Sequence, residues 1–248
     1  MTTPRKTLFI SDIHLDANTP HINQQFIEFL SQLDSHVDAL YILGDLFETW
    51  IGDDDDAPLH RQIMLELAKV TAKGIPVYFM RGNRDFLVRQ RFMRATGCQL
   101  LPDEKKLMLY GEPVLLMHGD TLCTDDHAYQ KARKIAYNPL LQKVFLCLPL
   151  KLRRKIANRL RAKSAAHTQQ APKEIMDVTL TTVSQVLKKH DVRYLIHGHT
   201  HRPAVHLHYL DDGSKAERIV LGAWHDTGNA LTWNETGHHE LIQLGGIE

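Results

Sequence analysis

The chain has 248 residues, of which 43% are hydrophobic and 24% are charged. These fractions are close to those of ordinary soluble domains and exclude a disordered or fibrous chain. With 30 basic and 29 acidic residues the formal net charge is +1, so the overall charge gives no argument for a nucleic-acid partner.

Short apolar runs, each followed by polar residues, recur along the chain and predict buried strands. Between the early runs, apolar residues recur at three- and four-residue spacing over 22–33 and 63–70, which predicts helices. Strands that alternate with helices predict an α/β fold with a mostly parallel sheet, whose ligands gather at the carboxyl ends of the strands. The runs are 7–10, 39–43, 77–80, 114–117 and 194–196.

The second half of the chain begins with a different pattern. Residues 125–190 form long helical stretches, over 125–137, 140–162 and 172–190, which Pro139 and Pro149 interrupt. After Ala204 short strand-like runs return, separated by glycine-containing turns. We therefore predict a core formed by residues 1–124 and 191–248, with residues 125–190 inserted as a helical cap.

The cysteines and the N-terminal residues bear on the cellular compartment. Cys98, Cys123 and Cys147 are odd in number and lack a C-x-x-C pair, which argues against a disulfide framework and against a thiolate zinc site. The first residues lack a signal-peptide pattern, and no apolar run approaches the roughly 20 residues that span a bilayer. We expect a cytoplasmic protein, with attachment to a membrane surface still open.

A set of metal-type ligands follows the predicted strands. It contains carboxylates, an amide and imidazoles but no thiolate, which suits Mn²⁺, Fe²⁺, Zn²⁺ or Mg²⁺. Residues two apart in an extended segment face the same way, so the two ligands of each D-x-H or H-x-H pair can reach one ion. Seven ligands are too many for one four-coordinate ion and suit two ions that share an aspartate. The set is Asp12, His14, Asp45, Asn83, His118, His199 and His201.

Each fragment of this set has a simpler explanation when taken alone. A single buried histidine is usually a core residue with its hydrogen bonds satisfied, and the pairs Gly44-Asp45 and Gly82-Asn83 are typical of turns. Five such fragments, each directly after a strand-like run, favour a metal centre over these local explanations.

The motifs D-x-H, G-D-x-x-E, G-N-R-D, H-G-D and G-H-T-H, in this order, resemble those of the calcineurin-like metallophosphoesterase superfamily. Longer segments, among them YILGDLFETWIGDDD at 41–55 and LIHGHTHRPAV at 195–205, are similar to bacterial enzymes of lipid A biosynthesis within it. The resemblance covers the chain from Leu8 to about Leu244. It implies a four-layer α/β sandwich, in which two packed sheets are flanked by helices, with an inserted helical cap.

The resemblance also implies a reaction. These enzymes hydrolyse the pyrophosphate bond of UDP-2,3-diacylglucosamine by attack of an activated water on the α-phosphorus, and release UMP and 2,3-diacylglucosamine 1-phosphate. Two ions, usually Mn²⁺ and about 3.5–4 Å apart, activate the water and stabilise the attacking and leaving oxygens. One ion would be held by Asp12, His14, Asp45 and His201, and the other by Asp45, Asn83, His118 and His199, with Asp45 as the bridge.

Substrate contacts and location are further implications of the resemblance. It implies peripheral attachment to the cytoplasmic face of the inner membrane. We expect no nucleic-acid partner and no protein partner. The lysine of these enzymes aligns nearer Ala171 than Lys173, where this chain departs from their pattern. The implied contacts are Asn83, Arg84, Asp126, Ser164, Thr168, Lys173 and His199.

Arg84 is a second departure, from the wider superfamily, since many members carry a histidine after the Gly-Asn pair. An alkoxide leaving group needs a proton, whereas a phosphate monoester, whose second pKa is about 6, leaves without one. A guanidinium offers paired hydrogen bonds and charge to a pyrophosphate instead. We therefore predict that Arg84 is catalytic, together with Asp45, and that the bond cleaved is an anhydride. The alternative is a surface ion pair between Arg84 and Asp85.

Other polar residues have two explanations each. The acidic run 53–56 is either a third cation site or a solvated loop that caps the helix expected from Leu59. Asp126 either contacts the substrate or caps the helix after it. His197 can orient one of the ligand imidazoles. His225 is expected to be structural.

The predicted cap has the most uneven charge, since no acidic residue lies between His127 and Pro172. The apolar segment LLQKVFLCLPLKL at 140–152 is followed by Arg153, Arg154 and further cations, a combination that suits insertion at an anionic membrane surface. The alternative is a cap helix that buries its leucines on the core and exposes its cations.

Two other functions are alternatives to hydrolysis of a pyrophosphate. Another metallophosphoesterase, such as a cyclic-nucleotide phosphodiesterase or a protein phosphatase, is disfavoured by Arg84 and by the cap. A metal-free scaffold of the same fold typically loses ligands, whereas this chain retains all seven.

Overall fold

The computed structural model describes residues 4–170, 177–210, 212–225 and 227–244, with the backbone alone for residues 165–170. Its strands form two sheets. The first contains β1 (Lys6–Ile10), β2 (Val37–Leu43), β3 (Val77–Met80), β4 (Gln99–Leu100), β10 (Asn229–Asn234) and β11 (His239–Gln243), in the order β11-β10-β1-β2-β3-β4. The second contains β5 (Glu104–Leu109), β6 (Glu112–Met117), β7 (Tyr194–His197), β8 (Ala204–Tyr209) and β9 (Lys215–Val220), in the order β5-β6-β7-β9-β8.

Helices connect these strands. The proline at the first turn of α1, α2 and α5 suits a helix start, where no intrahelical N–H bond is lost. The helices are α1 (Pro20–Ser31), α2 (Pro58–Ala72), α3 (Gln90–Thr96), α4 (His127–Ala136), α5 (Pro139–Leu146), α6 (Leu150–Gln170) and α7 (Leu180–His190).

The alternation of side chains along each strand builds the layers. In β1, Leu8 and Ile10 pack with the residues of α1 and α2, whereas Phe9 faces the second sheet. In β6, Leu116 faces the first sheet and Leu115 packs toward α7. The order of layers is helices, first sheet, second sheet, helix, which confirms the four-layer sandwich.

The sheets differ in detail from the expected mostly parallel one. Strands β1 to β4 run parallel, but β10 and β11 pair antiparallel beside β1. In the second sheet β6, β7 and β9 are parallel, and the outer strands β5 and β8 are antiparallel. The sequence analysis did not predict β4, β5 or α3. Strand β4 has only two residues and β5 contains two lysines, so neither forms a recognisable apolar run.

The predicted cap corresponds to α4, α5, α6 and α7. Of these, α7 packs Val183 and Leu187 against Leu115 and Leu195 of the second sheet, as a flanking helix of the core does. It begins at Leu180 rather than at 172, although residues 171–176 lie outside the described part of the chain. We propose that the cap consists of α4 to α6 alone.

The acidic run 53–56 attaches the cap to the core, a role that neither of the two explanations offered for it included. Asp53 accepts N–H hydrogen bonds from Arg89 (3.0 Å) and Phe92 (3.0 Å), and thereby begins α3. Among the described residues, the N-cap of α2 is Ala57, with no side-chain cap. The remaining carboxylates bind arginines of α6: Asp54 accepts from Arg153 (2.8 Å), Asp55 from Arg154 (2.7 Å) and Asp56 also from Arg154.

This attachment changes the interpretation of the cap surface. Arg153 is only 2% exposed, so the expectation that it faces a membrane is wrong, and Arg154 is neutralised by two aspartates. In contrast, Leu140, Leu141 and Val144 of α5 are 68%, 48% and 57% exposed. The alternative, in which the leucines are buried and the cations are solvated, is therefore also wrong for these residues. Within the described residues, no helix is both long enough and apolar enough to span a bilayer.

Candidate metal centre

The seven predicted ligands meet at the carboxyl ends of the parallel strands. The loops after β1, β2 and β3 carry those of the first sheet, and the loops after β6 and β7 carry those of the second. Because the two sheets are packed face to face, both sets of loops open on one edge of the sandwich. The ligands are Asp12 and His14 after β1, Asp45 after β2, Asn83 after β3, His118 after β6, and His199 and His201 after β7.

The backbone of these loops is not extended, which corrects the expected strand geometry. Asp12 and His14 have φ angles of 53° and 54°, Asp45 has 53°, and His199 and His201 have 69° and 56°. All five are in the left-handed region, which costs a non-glycine residue about 1–3 kcal/mol and clusters at functional sites. The D-x-H and H-x-H residues therefore converge through repeated left-handed turns rather than through strand alternation.

Hydrogen bonds between neighbouring loops hold this backbone. The N–H of Asp12 donates to the carbonyl of Gly44 (3.1 Å), and the N–H of His14 donates to the carbonyl of Asp45 (3.0 Å). The loop after β1 thus continues the pairing of β1 with β2 beyond the strand ends. This pairing brings the first two ligand loops side by side.

One group of ligand atoms surrounds Asp12. Its Oδ1 lies 3.3 Å from His201 Nε2 and 3.9 Å from His14 Nε2, and the two imidazole nitrogens are 3.2 Å apart. Asp12 is fully buried, and its Oδ1 has no hydrogen-bond partner among the described residues. Such an arrangement of ligand atoms can hold a metal ion.

A second group surrounds Asn83. Its amide oxygen lies 3.0 Å from His118 Nε2, and the same atom is 2.9 Å from His199 Nδ1. In this orientation the amide oxygen of Asn83 faces other hydrogen-bond acceptors, an arrangement that a cation among them would stabilise. If the amide of Asn83 were rotated, its nitrogen would donate hydrogen bonds to the same atoms instead. Asp45 lies between the two groups, with Oδ1 3.7 Å from His118 Nε2 and Oδ2 3.9 Å from His14 Nε2.

The electrostatics of the site favour a positive charge. Burial by itself lowers the pKa of His118, but the carboxylates of Asp45 and Asp12 outweigh it and raise that pKa to about 9. Burial opposes ionisation of Asp12, yet the adjacent imidazole of His201 holds its pKa well below the usual value. Burial and the charge of His118 lower the pKa of His199 to about 4. The carboxylates therefore attract a proton or a metal ion, and the residues present fit a divalent cation.

Two glycines allow this close approach. A Cβ atom on Gly82 would lie 2.2 Å from Asp45 Oδ1, and one on Gly198 would lie 2.2 Å from Asp12 Oδ2. Any side chain at either position would displace a carboxylate of the site. These glycines have a packing role at the site, beyond the turn role suggested by the sequence.

Arg84 points toward the site, and its alternative interpretation as a surface ion pair is wrong. Its Nε lies 3.9 Å from Asp45 Oδ2, and its backbone N–H donates to Asp45 Oδ1 (2.8 Å). Asp85 is fully buried and accepts the N–H groups of Gly82 (2.7 Å) and Leu46 (2.8 Å). Asp85 thus joins the loops that carry Asn83 and Asp45. Burial and then the charge of Asp45 raise its pKa, an effect that the backbone donors oppose.

A chain of polar contacts connects His14 to the cap. His14 Nδ1 lies 2.8 Å from Glu48 Oε2, and the other oxygen of Glu48 pairs with Arg161 of α6. A carboxylate behind a metal-binding histidine fixes the ring orientation and its tautomer. Glu48, the last residue of the G-D-x-x-E motif, therefore holds the Nε2 of His14 toward Asp12.

We expect Glu48→Gln to weaken Mn²⁺ binding by about 10- to 100-fold, because the amide no longer accepts strongly from His14 and loses its pairing with Arg161. Isothermal titration of the metal-free chain with Mn²⁺ measures this affinity without substrate. Glu28→Gln, at a half-buried glutamate of α1 outside the site, is the matched control. Equal affinity in Glu48→Gln and Glu28→Gln would contradict this role.

Helix α4 lies over the Asn83 side of the site through residues that the sequence reasoning missed. Asp120, which is 2% exposed, accepts hydrogen bonds from Tyr129 (2.8 Å) and Arg133 (2.6 Å). The ring of Tyr129 is 5.7 Å from that of His199, and the hydroxyl of Tyr137 donates to the carbonyl of Gly82 (3.1 Å). The four-residue spacing of 129, 133 and 137 places these side chains on one helix face, which was an available signal.

The remaining predicted residues have varied positions. Asp126 caps α4 by accepting the N–H of Tyr129 (2.8 Å), as one of its two explanations expected. Ser164 is exposed on α6. Thr168 lies in the same helix, but its side chain and the whole of Lys173 are outside the described residues.

His197 and His225 differ from their expectations. His197 is buried, with Nδ1 2.8 Å from the carbonyl of Gly198 and Nε2 3.2 Å from Arg218. Burial and the neighbouring guanidinium lower its pKa to about 3. These hydrogen bonds do not reach a ligand imidazole. His225 is exposed beside His201, with ring centroids 6.0 Å apart, whereas the adjacent Trp224 belongs to the core.

Comparisons with known proteins agree with this site. Residues 5–203 match the family model of the calcineurin-like phosphoesterases. A Serratia proteamaculans protein named UDP-2,3-diacylglucosamine hydrolase is 55% identical over 238 residues, covering 96% of this chain and 98% of that protein. A Coxiella burnetii protein of the same name is 50% identical over 237 residues, covering 96% and 97%. A solved archaeal phosphodiesterase has the same fold, with a TM-score of 0.50 and 12% identity over 96% of this chain and 99% of that one.

Proposed function

The chain belongs to the calcineurin-like phosphoesterase family and is a metal-dependent hydrolase, and from that premise we propose that its substrate is UDP-2,3-diacylglucosamine. The proposed reaction is hydrolysis of the pyrophosphate bond at the α-phosphorus, with release of UMP and 2,3-diacylglucosamine 1-phosphate in lipid A biosynthesis. The observation that carries the proposal is the position of Arg84. Its Nε lies 3.9 Å from Oδ2 of Asp45, the residue between the two ligand groups, and its guanidinium can bind a pyrophosphate oxygen there.

The proposed ligands divide as the geometry suggests. Asp12, His14 and His201 would hold one ion, Asn83, His118 and His199 would hold the other, and Asp45, which lies between them, would bind both. Divalent cations held by these residues would lower the pKa of water toward neutrality and would screen the charge of the phosphates. We propose Mn²⁺, since carboxylate, amide and imidazole ligands without thiolate suit it.

The chain's own residues then orient the substrate. Arg84 binds the pyrophosphate through its fork of N–H donors and offsets the charge that develops on the leaving phosphate. It is not needed as an acid, because a leaving phosphate with a second pKa of about 6 leaves without a proton. Asn83 and His199 border the same side of the site, and α4 covers it through Tyr129 and Tyr137, which limits the access of solvent.

The test is hydrolysis of UDP-2,3-diacylglucosamine by the purified chain with Mn²⁺, in water enriched in ¹⁸O. Attack on the α-phosphorus places the label in UMP, which mass spectrometry detects. Label in the lipid phosphate would contradict the proposed site of attack. Turnover of bis-p-nitrophenyl phosphate without cleavage of the UDP-lipid would favour a general phosphodiesterase instead.

We also propose that the chain binds the surface of the inner membrane through α5. Support comes from Leu140, Leu141 and Val144, which are exposed on one short helix, and from the absence of acidic residues between 127 and 172. With Arg153 and Arg154 paired to the acidic run, apolar insertion rather than charge is the main contribution expected.

We expect Leu140→Ser/Val144→Ser to reduce binding to vesicles of phosphatidylethanolamine and phosphatidylglycerol by about tenfold, since each buried apolar side chain contributes roughly 1.5–3 kcal/mol at most. Co-sedimentation measures the bound fraction. Leu65→Ser, at a leucine of α2 that is 64% exposed, is the matched control. Unchanged binding of the double variant would exclude α5 as the contact.

A further inference from the structure

A groove with both polar and apolar walls lies beside the His14 side of the metal centre, between the start of α1 and α6. It has a volume of about 620 Å³, and His14 and Glu48 form the wall that it shares with the metal centre. We name it the α1–α6 groove. Its other sides are formed by Asn18 and His21 at the start of α1, by Asn158 of α6, and by His225 after the core Trp224.

The lining of the α1–α6 groove suits a ligand with polar edges and apolar faces. Its walls carry amides, imidazoles, the carboxylates of Asp16 and Glu48 and the guanidinium of Arg161, and its floor is formed by Ile13, Ile22 and Trp224. An acyl chain bound there would displace water from these polar groups without offering them hydrogen bonds, which is costly. A flat heterocycle with amide edges and a sugar with hydroxyl groups would satisfy them instead.

The proposed substrate has two arms of opposite polarity on either side of its pyrophosphate. With that group over Asp45, one arm must extend toward Arg84 and α4, and the other toward His14 and the groove. The exposed apolar side chains of the cap, Leu140, Leu141 and Val144, are not among the described residues that line the groove. The polar arm therefore matches the groove, and the acylated arm matches the cap.

We propose that the α1–α6 groove is the nucleoside subsite, with Asn18 and His225 as contacts of the pyrimidine base; this inference rests on the proposed function. Asn18 is exposed, and its own side-chain and backbone N–H groups are directed to Asp16 (2.6 and 2.8 Å), which orients its amide. His21 Nε2 lies 3.2 Å from the carbonyl of His225 and joins the two sides of the groove mouth. The base would thus lie between an oriented amide and an exposed imidazole.

The test compares UMP with ribose 5-phosphate, which has the phosphate and the sugar but no base. Titration calorimetry on the Mn²⁺-loaded full chain is expected to show that UMP binds about tenfold more tightly than ribose 5-phosphate, because contacts to the base add to those of the phosphate. In Asn18→Ala/His225→Ala this preference is expected to fall to about twofold or less, with the affinity for ribose 5-phosphate unchanged. His36→Ala, at an exposed histidine after α1, is the matched control.

Three results would overturn the subsite. The first is equal affinity of the wild-type chain for UMP and ribose 5-phosphate. The second is a preference of the double variant for UMP that equals that of the wild-type chain. The third is an equal loss of affinity for both ligands in the double variant. Thermal melting of the variants, in which only exposed side chains are truncated, checks that they fold. Hydrolysis of the UDP-lipid by the wild-type chain is measured separately. Cleavage without a base-dependent affinity refutes the subsite alone, whereas absence of cleavage refutes the proposed function.

Discussion

Replacement of Asp45 by asparagine is expected to lower the turnover of UDP-2,3-diacylglucosamine by about 10³-fold or more, through loss of the metal-activated water. Asp45 is 1% exposed, and its two oxygens approach both ligand groups, with Oδ2 3.9 Å from His14 Nε2 and Oδ1 3.7 Å from His118 Nε2. An amide has nearly the same shape as a carboxylate but no charge, so the substitution weakens metal binding by both ligand groups at once. Steady-state kinetics at saturating Mn²⁺ measures the effect.

Two controls separate this effect from unfolding. Circular dichroism and thermal melting of Asp45→Asn are expected to resemble those of the wild-type chain, since the amide oxygen can still accept the N–H of Arg84. Asp34→Asn, at an exposed aspartate after α1, is the matched substitution elsewhere. Turnover by Asp45→Asn near that of Asp34→Asn would refute the bridging assignment.

The second large effect is expected at Arg84. Arg84→Ala should lower turnover by about 10²- to 10³-fold, the usual contribution of one residue that stabilises a transferring phosphoryl group. Its metal content, measured by atomic absorption, should not change, because the guanidinium is not a ligand. Arg94→Ala, at an exposed arginine of α3, controls for loss of a positive charge.

Two further substitutions test the chemical basis of this role. Arg84→Lys keeps the charge but loses the paired donors, so it should be more active than Arg84→Ala and less active than the wild-type chain. Arg84→His places the commoner residue of the superfamily there, and it should not restore activity, since the leaving phosphate has little need of an acid. Recovery of more than about a third of the wild-type rate by histidine would contradict this view of the leaving group.

The fold and the set of candidate ligands could be predicted because both follow from local patterns. Each apolar run predicts a strand, and the residue type after it predicts a ligand, so Asp12, Asp45 and Asn83 stand out without knowledge of their neighbours. Parallel strands then bring the ends of these runs to one edge of the sheet. The resemblance to the phosphoesterases added the division into two groups.

The conformation of the ligand loops could not be predicted in this way. Asp12 and His14 were expected to share a face because a strand has a period of two, but β1 ends at Ile10 and the following turns are left-handed. Left-handed backbone at a non-glycine residue is held by contacts between loops, here by Gly44 and Asp45. A local pattern carries no information on such contacts.

The sequence by itself thus determined the parallel strands, the order along the chain of the strands that carry ligands, and the residue types available to hold two metal ions, whereas the four layers came from the resemblance. The tertiary structure alone decided which charged side chains are paired within the protein and which remain free to bind a partner. Arg153 and Arg154 look like free cations in a segment without acids, but folding pairs them with the run 53–56, about a hundred positions away. It likewise exposes Leu140 and places His225 at the groove mouth. The periodicity of a sequence shows which face of a helix or strand is buried. The partner of a long side chain, in contrast, depends on which elements lie next to each other in the folded protein.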